Sequence, residues 1–358
     1  MADNITLDRV SQENKFDFNH IFDEFTDFNI EHSVTREIKE CTYYTPETFN
    51  QQVPQLVDSS YMSVMGLNLR SLPYHWDEFK NFVAETSNES FSFDIIGLSE
   101  IFNVRDILEY KLVGYHDFEP KPRPDGDGGR GGVGLYIKDH ISYFPRDDLS
   151  PFIPHVIETL FIEIEQKCQR NLIVGVVYRP NTEPLANIEQ FTQTLMETID
   201  KINNENKSVI LVGDFNIDLL KFQCDLKTET FIEDIFGKGL LPLITKPTRI
   251  TNHSATIIDH IHSNIVDHVT PGIIINDIAD HFAVFSIFKA KQCKTNKKHI
   301  MTRKINQTTI NNLKMILTNT DFTTVFQTTD VDESYSSFKN LFQSAYNQAC
   351  PFHQHKEE

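Results

Sequence analysis

Residues 61 to 289 are built from short apolar runs, and the lengths of those runs constrain the fold more than any other property of the chain. "YMSVMGLNL" (61–69), "FDIIGLS" (93–99), "VGLYIK" (133–138), "TLFIEIE" (159–165), "NLIVGVVY" (171–178), "TIIDHI" (256–261), "GIIIN" (272–276) and "FAVFSIF" (282–288) each have the length of a strand. "TLFIEIE" alternates, Leu160, Ile162 and Ile164 against Phe161, Glu163 and Glu165, and predicts a half-buried strand. "FDIIGLS" and "NLIVGVVY" read as buried strands. Helical spacing appears only at intervals: Leu72, Trp76, Phe79 and Val83, then Ile188, Phe191, Leu195, Ile199 and Ile202, then Phe231 and Ile235. Many strands with few helices between them predict two packed sheets flanked by helices rather than one parallel sheet.

Polar residues fall at the ends of these runs. In "VILVGDFNIDLL" (209–220) the apolar run stops at Gly213, and Asp214 and Asn216 stand on either side of Phe215. On an extended backbone positions i and i+2 project the same way; a turn is the competing reading, since Gly, Asp and Asn all favour turns. Asn68, Glu100, Tyr178, Asp259 and the pair Asp280-His281 also lie beside apolar strands. Any one of them alone reads as a cap, a turn or a rim charge. Together they supply four carboxylates, two amides, a phenol and an imidazole. Were these strand ends to meet, that much charge would call for a cation. An oxygen-rich set without thiols suits Mg²⁺ or Mn²⁺ better than Zn²⁺.

The 358 residues allow one large domain with appendages, or two domains. Three segments are expected. Residues 1–60 form an acidic, polar leader with Phe16, Phe18, Phe22 and Phe25 scattered through it, partly disordered and with at most a short helix. Residues 61–289 form the strand-rich domain. Residues 290–358 open as a basic linker within "KAKQCKTNKKHIMTRK" and continue as two amphipathic helices, marked by Ile310, Leu313 and Leu317, then by Tyr335, Phe338, Phe342 and Tyr346. The formal charge of −18 argues against a general nucleic-acid coating protein. It leaves room for a nucleic-acid enzyme with metal ions and a local basic rim. No apolar run is long enough to span a bilayer, and "MADNITLDRV" lacks the pattern of a secretion signal. The five cysteines form no CxxC pair and fit reduced thiols. An intracellular protein, nuclear or cytoplasmic, is expected.

"LNLRSL", "FDIIGLSE", "VVYRPN", "VGDFN", "IDHI" and "DIADH" occur in an order and spacing that resemble the endonuclease/exonuclease/phosphatase superfamily. Within it, "KPTRITNHSATIIDHI" and the "YRPN" turn look most like the endonuclease domain of non-LTR retrotransposons. The resemblance covers residues 61 to 289 and implies a four-layered α/β sandwich that cleaves phosphoesters with Mg²⁺ or Mn²⁺. It implies Glu100 as the metal carboxylate, with Asn68 close by and Asp280 as a further ligand. Asp214 and Asn216 would align the attacking water or the scissile phosphate, and His281 would contact a phosphate oxygen or act as base. Asp259 would orient that imidazole, and Tyr178 and Asn181 would hold the phosphate from the side. The partner implied is DNA, with no membrane. The C-terminal segment also resembles the region following this domain in such elements; no reverse-transcriptase signature is present, so a separate reverse-transcriptase partner or a lost downstream domain is implied. The superfamily often has Ser before the final Asp-His, where this chain has Ala279.

Other features compete for function. "GDGGRGGVG" (126–134) contains GxGxxG but precedes a strand, and so reads as a turn near substrate rather than a dinucleotide loop. His260 and His262 share one face of a strand, without the Cys partners of a common zinc site. Glu158 reads as a solvated strand-edge carboxylate, with a place in the site's outer shell as the alternative. Arg249 and Lys246 are candidates for DNA phosphate contacts, with plain surface charge as the alternative. Three functions follow: a DNA-nicking endonuclease, a phosphatase of a small phosphoester or phospholipid, and a catalytically silent protein descended from a retroelement.

Overall fold

The computed structural model describes residues 39–54, 60–124, 130–166, 170–181, 186–265, 268–289, 300–303, 307–327 and 330–355. The chain divides into two compact units, Met1–Gln292 and Cys293–Glu358. Most of the predicted leader and most of the basic linker lie outside the described residues.

The first unit holds two seven-stranded sheets. In the first sheet the order is Thr42–Tyr44, Thr270–Ile274, Ala283–Lys289, Tyr61–Asn68, Ile95–Ser99, Val133–Ile137 and Glu119–Lys121. In the second it is Leu241–Pro242, Asp259–Ser263, Ser208–Asp214, Leu172–Tyr178, Ile157–Ile164 and Tyr143–Pro145, with Phe152–Ile153 also paired to Ile157–Ile164. Both are mixed: Tyr61–Asn68 runs parallel to Ile95–Ser99 in one, and Ser208–Asp214 parallel to Leu172–Tyr178 in the other.

The period of two along each strand decides what each face meets. Val64 and Ile95 join one apolar core, while Met65, Leu67, Ile96 and Leu98 join the other. That second core packs Phe49 of helix Pro46–Gln52 and Phe79, Phe82 and Val83 of helix Trp76–Glu85 against the first sheet. Helices Ala186–Asn204 and Leu226–Gly237 share the first core with the second sheet, through Phe191, Leu195, Ile199, Phe231 and Ile235. Between the sheets, glycine permits close approach. A Cβ on Gly97 would stand 2.7 Å from Val176 Cγ2, and one on Gly66 would overlap Val212. Gly66, Gly97, Val176 and Val212 therefore mark the two inner faces. The result is the α/β sandwich that the run lengths predict, two mixed sheets with helices on the outside.

Two expectations change. The domain does not begin at residue 61: Thr42–Tyr44 pairs with Thr270–Ile274, and Phe49 is wholly buried. The polar composition of the leader hid the three-residue strand, whereas the seven-residue helix Pro46–Gln52 matches the short helix allowed there. "TLFIEIE" is not half-buried either, since Phe161 is fully buried and Glu163 nearly so. Glu163 survives burial because Arg146 and Lys207 pair with it.

The second unit contains helices Gln307–Thr318 and Val331–Ala349, both at the predicted apolar spacing, and an antiparallel pair of strands, Ile300–Arg303 with Phe352–His355, that brackets them in sequence. Among the described residues no helix is long and apolar enough to cross a membrane.

Candidate active site

The inner faces supply the site. Counting in twos from Val64 and Gly66 places Asn68 on the inner face of the first sheet. Counting from Val212 places Asp214 on the inner face of the second, and Asp259 lies directly across from Asp214 in the antiparallel register. Apolar packing thus carries three polar side chains to one end of the sandwich. Asn68 Nδ2 donates to Asp214 Oδ2 at 2.8 Å and to Glu100 Oε1 at 2.9 Å. Asn68 Oδ1 accepts from the backbone N–H of Arg70 at 3.0 Å. One amide therefore joins two carboxylates across the gap between the sheets.

The chain turns sharply after each of these strand ends. Arg70, Glu100 and Asn216 all have left-handed backbones, with φ of 55°, 53° and 48°. Such positions cost non-glycine residues about 1–3 kcal/mol and gather at functional sites. Asn216 is not on extended backbone, so Asp214 and Asn216 do not converge by strand alternation. They converge through a turn in which Asn216 N–H donates to Asp214 Oδ1 at 2.9 Å and its Nδ2 to Oδ2 at 3.1 Å. Arg179 fastens the turn, donating through Nε to the Phe215 carbonyl at 2.7 Å and through Nη2 to that of Asn216. Gly213 completes it: its φ is +145°, and a Cβ there would strike the Val177 carbonyl.

His281 is nearly buried, and its Nδ1 donates to the Asp259 carboxylate at 2.9 and 3.0 Å. Thr248 Oγ1 donates to Asp259 Oδ2 at 2.7 Å and accepts from the Asp259 N–H at 3.1 Å. Burial works against the imidazolium, but Asp259 outweighs it and carries the His281 pKa up to about 9. Burial, then the neighbouring Asp259, push Asp214 up to about 7. Burial, then the charge of Glu100, raise the Tyr178 phenol far above its ordinary value. Asp214, Asp259 and His281 carry ligand atoms within 4.8 Å of one another. Nδ1 of His281 is already committed to Asp259, so the set reads as a proton-bearing chain as much as a metal cradle.

A cleft of about 670 Å³ is lined by Glu100, Asp214, Asn216, Tyr178, Asn181 and His281, with Arg70, Arg123, Arg130 and Arg249 among its walls. Asp280 takes a place the sequence did not suggest. Arg249 grips its Oδ2 with Nε at 2.7 Å and Nη2 at 2.6 Å, and Arg70 Nε stands 3.2 Å from Oδ1. Burial opposes its charge, but these arginines hold the carboxyl below its ordinary value.

Sequence reasoning passed over Thr248, Arg179 and Arg123. Thr248 lies inside the quoted "KPTRIT" stretch and Arg179 inside "YRPN", so both sat within signals already read. Glu158 is the plainest reversal. It is wholly buried, paired with Arg123 and with the Gly132 N–H, not a solvated edge residue. His260 and His262 alternate onto the face opposite Asp259. They are buried with Phe215 and Phe231, and His262 Nε2 lies 3.2 Å from His260 Nδ1. Burial lowers His260 to about 4, as expected of neutral core histidines.

No curated protein sequence matches the chain. Among solved structures, the catalytic domain of Xenopus laevis APE2 is similar with a TM-score of 0.51 at 17% identity, over 66% of this chain and 94% of that one. A 3′-5′ exonuclease (NExo) from Neisseria meningitidis gives a TM-score of 0.49 at 16% identity, over 64% and 100%. The model of the Endonuclease/Exonuclease/phosphatase family matches residues 65–335, well over half of the chain and the whole span from Asn68 to His281. With that match and the two-sheet sandwich in hand, the chain belongs to the endonuclease/exonuclease/phosphatase family.

Proposed function

We propose that this protein is a divalent-metal-dependent DNA endonuclease of the non-LTR retrotransposon type, nicking a duplex to leave a 3′ hydroxyl. The observation that carries the reading is the joining of a carboxylate–amide cluster (Glu100, Asn68, Asp214, Asn216) and an Asp259–His281 pair in one cleft walled by four arginines. A net charge of −18 discourages polyanion binding over the whole surface; at this cleft Arg70 and Arg249 pair with Asp280 and Arg123 with Glu158, so the carboxylates there do not stand unopposed. The retrotransposon assignment rests on "KPTRITNHSATIIDHI", which supplies both Thr248 and the Asp259 it holds; such a protein would work with a reverse transcriptase.

The residues fit a hard divalent cation. Their donors are oxygens, the donor type that a hard divalent cation prefers. Glu100, with Asn68 beside it, would hold the ion, with Asp280 as the proposed further ligand. When bound, the cation offsets the charge that builds on the phosphate during displacement.

The remaining roles follow from the pKa separation. His281, protonated at neutral pH, cannot take a proton from water; it donates to a phosphate oxygen. Asp214, pushed up to about 7, is the group poised to take that proton. Asn216 fixes Asp214 from one side and Asn68 from the other. Tyr178, whose phenol is raised by burial and by Glu100, and Asn181 line the cleft where they would hold the phosphate from the side. Nicking of supercoiled plasmid by the wild type and by Asp214→Asn tests the assignment. Conversion by wild type alone supports it; no conversion, with turnover of a phosphomonoester instead, would replace it with the phosphatase reading.

A further inference from the structure

The glycine-rich stretch around residues 130–134 has no part in the chemistry above, yet it builds a seat for one side chain. Gly131 has φ +106° and Gly132 φ +81°. A Cβ on Gly131 would lie 2.6 Å from Arg123 Nε and 2.8 Å from its Nη2, so only glycine leaves room for the guanidinium. Glu158, wholly buried, holds Arg123 Nε with one oxygen and the Gly132 N–H with the other. Arg123 Nη1 lies 3.5 Å from His155 Nδ1. The Arg123 side chain is only 6% exposed, but it lines the cleft together with Arg130 and His155. An arginine fixed this firmly is a poor surface solubiliser and a well-prepared anion receptor.

Its position separates it from the reaction centre. Asp259 pairs with Asp214, Ser208–Asp214 neighbours Leu172–Tyr178, and Tyr178 pairs with Glu158. The Glu158 strand is therefore two strands from that of Asp214, about 10 Å at ordinary strand spacing. The strand of Tyr178 thus stands between the Glu158 seat of Arg123 and the strand of Asp214.

Resting on the nuclease reading, we infer that Arg123, positioned by Glu158 and the Gly131–Gly132 backbone and supported by Arg130 and His155, binds a nucleic-acid backbone phosphate that neighbours the scissile one. A small phosphomonoester has no second phosphate to fill this place, so the subsite selects polynucleotides.

The test is binding of a short labelled duplex to the full-length chain in EDTA, measured against salt, alongside melting curves and nicking of plasmid in Mg²⁺. Wild type is compared with Arg123→Gln, Arg123→Lys and the double variant Arg123→Leu/Glu158→Leu. The double variant removes both buried charges, so loss of binding in it cannot come from a stranded Glu158. Arg123→Gln and the double variant should lower the slope of log affinity against log salt by about one unit. Their affinity at low salt should fall about tenfold or more. Arg123→Lys should keep most of the slope. Folded variants with wild-type slope and affinity, beside a wild type that nicks, would overturn the subsite and leave the nuclease reading standing. A wild type that neither binds nor nicks the duplex would overturn both.

Discussion

Nδ1 of His281 reaches both oxygens of Asp259, at 2.9 and 3.0 Å, and the bond joins the two sheets of the sandwich. Asp259 opens a strand of the second sheet, whereas His281 stands two residues before the first-sheet strand Ala283–Lys289. The bond from Asn68 to Asp214 crosses the same gap. Two side-chain hydrogen bonds therefore tie the sheets together at the candidate site, and Gly66 and Gly97 let the two inner faces approach.

The paired shifts give a pH dependence. Cleavage should rise as Asp214 ionises through about 7 and fall as His281 loses its proton through about 9. A bound cation moves the first limb lower. Asp259→Asn removes the charge that raises His281, so the upper limb should move down toward the ordinary imidazole value of 6.5, with turnover impaired more than DNA binding. An unmoved upper limb in a folded Asp259→Asn protein would contradict the pairing.

His281→Ala and Asp214→Ala should each reduce nicking by ~10²-fold or more, the scale for losing a proton-transfer or charge-stabilising group. Melting temperatures decide whether the loss is chemical. Activity within a few fold of wild type, with normal melting, would place the reaction centre elsewhere.

Gly213→Ala should destabilise the protein by about 3 kcal/mol or more, combining left-handed strain with overlap on a backbone carbonyl. Denaturant unfolding measures it, and a change below about 1 kcal/mol would show that the turn can shift to accept a Cβ.

A fragment of residues 61–289 should unfold well below one of residues 39–289. The shorter fragment loses the edge strand Thr42–Tyr44 and the fully buried Phe49, whose side chain alone is worth about 3–5 kcal/mol. Equal melting temperatures would mean the N-terminal strand and helix add nothing.

Where the chain spells out structure through apolar periodicity, it could be read directly. The buried strands ending at Asn68, Tyr178 and Asp214, and the helix carrying Phe191, Leu195 and Ile199, announce themselves by run length and spacing. Asn68, Glu100, Asp214, Asn216, Asp259 and His281 were legible as a group because each breaks an apolar pattern. Thr42–Tyr44 was not, since a three-residue edge strand has no period to detect. Glu158 was misread because its partner, Arg123, is 35 residues away in sequence, and nothing local signals a buried ion pair. Asp280 shows the same limit: its neighbours Arg70 and Arg249 come from a bend and a short strand far off in sequence that only the closed sandwich brings together.

The most direct measurement is conversion of supercoiled plasmid to open circles by the full-length protein in Mg²⁺, in Mn²⁺, in Zn²⁺ alone and in EDTA. The proposed metal site of Glu100, Asn68 and Asp280 predicts nicking with Mg²⁺ or Mn²⁺, little with Zn²⁺ alone and none in EDTA. Full nicking in EDTA would contradict it.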